Sequence, residues 1–443
     1  MIFAVTIFVS AFLLFLVQPL IGRVILPWFG GSAGVWTTCM MFFQALLVGG
    51  YAYSHLSIAK LRPRAQALLH LSLIGLACGL VLWRTGTWGS ALIPDASLKP
   101  ADSHDAPLRI ALLLAATVGV PYFVLSTTGP LIQAWYGRLQ AGDRAYRLYA
   151  LSNVGSLLAL VAYPFVLEPA LAVRTQSLVW TVGFVGFALC CAAAALTVAR
   201  RNPAVVEPAP AAPAAEAERV PVARWLLWLT LGAAPSFMML ATTTELCNEV
   251  AVVPFLWVAP LTLYLLSFIL TFDSPKWYRQ GRYLVGLAVA SIWTSRLHDL
   301  GASGNYRAQI LAYLLTLFAF CMVCHGELVR LKPGASRLTS FYLALSVGGA
   351  VGGLLGGLLA PTVFGTLSEF RIGLVAGWLL LGAVLLASRD SALNAGLYKA
   401  RRAAFATVAF VLGLTAVVSE VESARGVVVA TRGFFGTLRV YKE

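Results

Sequence analysis

Long apolar runs alternate with short polar stretches along almost the whole chain. A helix needs about 20 apolar residues to cross the hydrocarbon core of a bilayer. Thirteen runs meet or approach that length: 2–22, 34–57, 65–83, 108–127, 149–167, 175–198, 224–244, 251–272, 282–297, 308–325, 339–361, 367–388 and 403–419. The first has no basic stretch before it and no small-residue cleavage site after it, so it reads as a retained helix rather than a signal peptide. One long internal stretch breaks the pattern. Residues 200–224, RRNPAVVEPAPAAPAAEAERVPVAR, hold no run able to span. Their Pro, Ala and Glu predict a flexible, partly extended linker. The expected architecture is an all-α polytopic membrane protein. It has a six-helix membrane half at 1–199, a cytoplasmic Pro/Ala linker at 200–223, a second six-helix half at 224–388, and a tail at 389–443 that opens with a thirteenth helix.

Composition strengthens this reading. Of the 443 residues 59% are hydrophobic and 11% charged, against about 25% charged in a soluble domain. That much apolar surface needs lipid as its solvent. The net charge of +14 would suggest a nucleic-acid partner in a soluble protein. Here the basic residues sit between apolar runs, where they signal topology and meet lipid headgroups, so no nucleic-acid partner is expected. Twenty Lys and Arg follow even-numbered spans and eight follow odd-numbered spans up to the eleventh. By the positive-inside rule the N-terminus and the linker are then cytoplasmic, and an odd number of spans leaves the tail outside. All seven cysteines lie in or beside apolar runs, which implies no disulfide framework.

The two halves echo each other. The fifth span opens Leu148-Tyr149-Ala150-Leu151-Ser152-Asn153-Val154-Gly155 and closes near Pro169. The eleventh opens Phe341-Tyr342-Leu343-Ala344-Leu345-Ser346-Val347-Gly348 and closes at Pro361. Equal span counts and equal orientation make this a parallel repeat, as in transporter halves related by an axis normal to the membrane. Gly348, Gly352 and Gly356, with Gly349, Gly353 and Gly357, form two ribbons at four-residue spacing that predict close helix packing.

Polar groups inside spans need a partner or a task. Gln18, Gln44 and Asn153 either hydrogen-bond helices together or line a cavity. Glu168, Glu245 and Glu249 fall near the outer ends of their spans, and Glu245 and Glu249 share a helix face with Asn248 beside them. These carboxylates either receive a cation or relay protons, or else form structural ion pairs with Arg23 and Arg174. Cys321-Met322-Val323-Cys324-His325 matches the haem-attachment spacing, but it sits at an inferred cytoplasmic helix end inside an apolar run. A metal there would lack a fourth ligand. No phosphate-binding loop, dinucleotide fingerprint or hydrolase motif occurs, so no cofactor, metal or catalytic residue is expected.

Several stretches together carry a resemblance. They include Gln18-Pro19-Leu20, Gly30-Gly31-Ser32, Val35-Trp36, Phe43-Gln44, Pro121-Tyr122, Leu148–Gly155, Glu168-Pro169, Leu263-Tyr264, Cys324-His325-Gly326-Glu327 and Phe341-Tyr342. Across essentially the whole chain they resemble the membrane part of the fused transporter/spermidine-synthase-like proteins of bacteria. That resemblance implies a major-facilitator-like (MFS-like) membrane region in the cytoplasmic (inner) membrane, a small cationic, polyamine-like metabolite as substrate, and a soluble aminopropyltransferase-like domain as fused part or partner. A non-transporting membrane scaffold for such a domain is the alternative it implies. Thr431-Arg432-Gly433-Phe434-Phe435-Gly436 resembles the opening strands of that domain, whose catalytic residues have no counterpart in this chain. The Gly/Asp/Arg signature of facilitator loops is also missing from 53–64.

Overall fold

The computed structural model describes residues 1–30, 33–95, 98–99, 105–139, 144–201, 221–249, 256, 258–299, 305–333, 338–364, 367–388, 390–394, 396–424, 427–433 and 436–441. Each of the thirteen apolar runs is matched by a helical rod. These are α1 (Ile2–Phe29), α2 (Ala33–Lys60), α3 (Pro63–Trp88), α4 (Ala106–Leu139), α5 (144–170), α6 (Val173–Arg201), α7 (Val222–Glu249), α8 (Val258–Asp273), α9 (Gln280–Asp299), α10 (Tyr306–Arg330), α11 (338–363), α12 (Glu369–Ala387) and α13 (Tyr398–Ala424). Among the described residues, eleven are long and apolar enough to cross a membrane. Of the other two, α8 has 16 residues, about 24 Å of helix, and the expected start of its span at 251 lies outside the described residues. Most of the linker, 202–220, lies outside them too. After α13, β1 (Val427–Gly433) and β2 (Gly436–Tyr441) pair as an antiparallel hairpin, at the stretch read as opening strands.

Local chemistry sets the helix ends. Pro63 starts α3, where its missing N–H costs nothing, and Gly89 ends it in the left-handed region at φ 68°. Asn305 caps α10, its side chain accepting from Arg307 N and Ala308 N. Three rods contain one wide π-helical turn: Ala115–Gly119 in α4, Tyr163–Leu167 in α5 and Leu355–Leu359 in α11. In each case a proline follows two residues later, at Pro121, Pro169 and Pro361. Proline lacks an N–H and clashes with the carbonyl four residues before it. An i→i+5 turn just ahead moves that carbonyl away.

The chain divides into two compact units. Unit 1 comprises 1–29, 42–226 and 333–346, and unit 2 comprises 30–41, 227–332 and 347–443. In unit 1, α1 packs on α4, α5 and α6, while α3 packs on α4 and α6. In unit 2, α10 packs on α8 and α9, and α13 lies on α9 and α12. Gly155 of α5 meets α1 closely enough that a Cβ there would fall 2.8 Å from the Phe8 carbonyl oxygen. Gly348 and Gly352 of α11 abut the Leu229 and Ala233 carbonyls of α7 in the same way. The ribbon of Gly348, Gly352 and Gly356 is thus a packing face. On the other ribbon, Gly349 has open space beside it. Buried tryptophans place their N–H groups on acceptors within their own unit: Trp180 on Leu13 O, Trp228 on Leu331 O and Trp378 on Ser291 Oγ.

Candidate functional site

Unit 1 holds the polar residues of the first half. Gln18 is buried in α1 and donates from Nε2 to Tyr122 Oη of α4 at 3.2 Å and to Leu14 O at 3.4 Å. The Tyr122 ring lies tilted against Phe43 of α2, with centroids 4.8 Å apart. A polar seam therefore joins α1 to α4 inside an apolar unit. Gln44 and Asn153 are half-buried, on α2 and α5. Glu168 follows the wide turn of α5 and pairs with Arg23 of α1 at 2.9 Å, the ion pair weighed above. Fully buried Tyr163 lies in the field of both charges.

In unit 2, Glu245 is 2% exposed on α7. Asn248 and Glu249 are the last helical residues before the end of α7, and their side chains lie outside the described residues. Gln18, Gln44, Asn153 and Glu168 belong to unit 1, and Glu245 belongs to unit 2.

Several polar centres escaped the sequence reading. Arg84 directly follows the apolar run 65–83. It lies inside α3 and is 4% exposed. Its guanidinium donates to Thr117 O of α4 and stands over the Trp88 ring at 5.9 Å. Thr117 is the residue four before Pro121, so its carbonyl is one that proline strips of a helical donor. That proline was the available signal. Gln66, buried near the start of α3, donates to Ser57 O and Leu61 O at the end of α2, while its Oε1 accepts from Trp135 Nε1 and Arg138 of α4, each at 3.1 Å. Gln176 repeats the first half of this arrangement at the α5–α6 turn, donating to Leu167 O and Leu171 O.

A comparable hub closes one end of unit 2. The buried Glu327 carboxylate of α10 accepts from Tyr278 Oη at 2.8 Å, Gln280 Nε2 at 2.6 Å and Arg330 at 3.4 Å. Burial, and then the Glu327 charge, push the Tyr278 phenol well above its usual range. Two residues before Glu327, His325 bonds Ser267 through Nδ1 at 2.9 Å and lies against the Phe268 ring. Cys321 and Cys324 are buried beside it. Among the described residues no group of three or more His, Cys, Asp or Glu is placed to hold a metal ion.

The architecture and composition define a polytopic, all-α membrane protein. Neither a protein-family model nor a curated protein matches the chain. Among solved structures, the nucleoside transporter NupG is 12% identical with a TM-score of 0.46, over 96% of this chain and 100% of that one. A peptide transporter, POT, solved with sulfate, is 14% identical with a TM-score of 0.48, over 93% and 95%. At these values neither likeness bears on substrate, and the resemblance to the fused family is carried by the quoted residues alone.

Proposed function

We propose that this chain is a membrane transporter built from two six-helix, major-facilitator-like halves, 1–199 and 224–388, and that it handles a small cationic, polyamine-like metabolite. The observation that carries the reading is Glu245, a carboxylate buried in an apolar helix. Removing a carboxylate from water is costly, and such a group in a membrane helix marks a path for ions, protons or charged substrates. Glu168 is already held by Arg23, so its role in this reading is to shape the path rather than to bind. Gln18, Gln44 and Asn153 supply neutral hydrogen-bonding groups, and Asn248 and Glu249 extend the acidic end of α7. The proposed setting is the bacterial inner membrane, with the N-terminus and linker in the cytoplasm.

A second reading draws on the β1–β2 hairpin. A lone two-stranded hairpin is marginal in water, and it stands where the sequence resembles the opening of an aminopropyltransferase-like domain. On that reading the membrane part is a scaffold for a soluble synthase-like partner.

One experiment separates the two. The purified protein is melted in detergent with putrescine, spermidine, basic amino acids and S-adenosyl compounds. A ligand that binds only the folded state raises the Tm by mass action. The transporter reading expects a polyamine shift that Glu245→Gln abolishes while the unliganded Tm holds. No shift with any cation at millimolar concentration overturns it in favour of the scaffold.

A further inference from the structure

We infer that one end of unit 2 is a docking surface for anionic phospholipid headgroups, formed by the α8–α9 turn and the start of α13. The two segments are distant in sequence but fastened together. Gln280 Oε1 accepts from the Ala392 N–H, Arg330 donates to Asp390 O at 3.3 Å, and Arg401 donates to Ala392 O at 3.0 Å. Gln280 and Arg330 are in turn both held by Glu327. The two segments held together in this way carry four exposed cations, Lys276, Arg279 and Arg282 on one and Lys399 on the other. None of the four forms an ion pair among the described residues. The buried Glu327 carboxylate beneath them is already occupied by three donors. Arg402 is spent on Asn394 and on the Tyr398 ring at 5.4 Å.

The opposite end of α12 and α13 is different. There Arg371 is matched by Glu420 at 3.1 Å, so its charge is internally cancelled. A net positive charge is gathered where the α8–α9 turn meets the start of α13, with the exposed Asp273 and Asp390 the acidic residues of the same two segments. It is accompanied by Trp277 and Tyr398, which are 52% and 43% exposed, and by Leu397 at 78%. Aromatic and aliphatic side chains beside lysine and arginine, at the ends of membrane helices, are the composition that suits the headgroup level. The rings lie among acyl carbonyls and the cations reach phosphate. Each cation near an anionic surface adds to the attraction, which falls off within a Debye length.

The test uses the full chain in nanodiscs of phosphatidylcholine alone and of phosphatidylcholine with phosphatidylglycerol. Melting and native mass spectrometry report stability and retained lipid. The expected result is a higher Tm and retained phosphatidylglycerol in the mixed discs, lost in molar salt. In the variant K276Q/R279Q/R282Q/K399Q, retention should fall by roughly tenfold or more, with the Tm in pure phosphatidylcholine unchanged. A wild type that treats the two lipids alike overturns the inference, as does a variant that keeps its phosphatidylglycerol preference. If millimolar inorganic phosphate displaces the lipid completely, the site is one for a soluble anion and the headgroup assignment fails.

Discussion

Gly348 rests against the main-chain carbonyl of Leu229, with no room for a side-chain carbon between them. Its counterpart in the other half of the repeat, Gly155, makes the same approach to Phe8. In both units the fifth helix of the half meets the first through a glycine, and a wide turn and a proline follow at nearly equal distances.

Substitution should expose this. Gly348→Val forces two backbones apart and is expected to cost about 1–3 kcal/mol, as overpacking does. Gly349→Ala, with nothing within 4 Å of its added carbon, should be neutral or slightly stabilising, since alanine favours helix. Thermal unfolding in detergent reads both, and equal losses at the two positions would contradict the packing described.

Gln66 and Gln176 make matching main-chain bonds, but only Gln66 also receives Trp135 and Arg138. Gln66→Leu strands those donors inside the unit and should cost about 2–4 kcal/mol. Gln176→Leu loses only its two bonds to carbonyls and should cost about 1–2 kcal/mol. Unfolding midpoints of the two variants under one detergent condition check the order.

Arg84 answers a carbonyl that Pro121 leaves without its helical donor. Arg84→Met should therefore be strongly destabilising alone and less so beside Pro121→Ala, which restores a helical N–H. A double-mutant cycle should return a coupling of about 0.5–3 kcal/mol. Strict additivity would show that the guanidinium serves something else.

Tyr278 has its phenol pushed up in the folded protein. The folded state then holds its proton where the unfolded state, near the ordinary value of about 10, releases it. The resulting stability is complete below about pH 10 and is lost as pH rises beyond it. Tyr278→Phe should lower the Tm at neutral pH, by losing a bond to Glu327, but should flatten the alkaline limb of Tm against pH.

The spans were legible because apolar length is a local property, and each of the thirteen runs carries a helix. Their edges were not. Arg84, Arg138 and Arg330 fall beyond the apolar runs 65–83, 108–127 and 308–325, yet all three lie within helices. Helices continue past the apolar run for as long as the backbone can bond to itself. The polar residues of the candidate path were legible one by one, since a glutamine inside a span must find a partner. Which partner was not legible: Gln18 meets Tyr122 across 104 positions and Gln66 meets Arg138 across 72, and no periodicity encodes such pairings. The partners of Glu327 were not legible either, since Tyr278 and Gln280 come from a turn 49 and 47 positions away.

The wide turns in α4, α5 and α11 have a geometric effect beyond accommodating proline. Each stores one residue more than an α-helical turn, and one residue is about 100° of rotation. Side chains beyond residues 119, 167 and 359 are therefore out of phase with those before them. Each of these three rods presents one sector to its neighbours along its first part and a different sector along its last, so a single helical wheel cannot describe it.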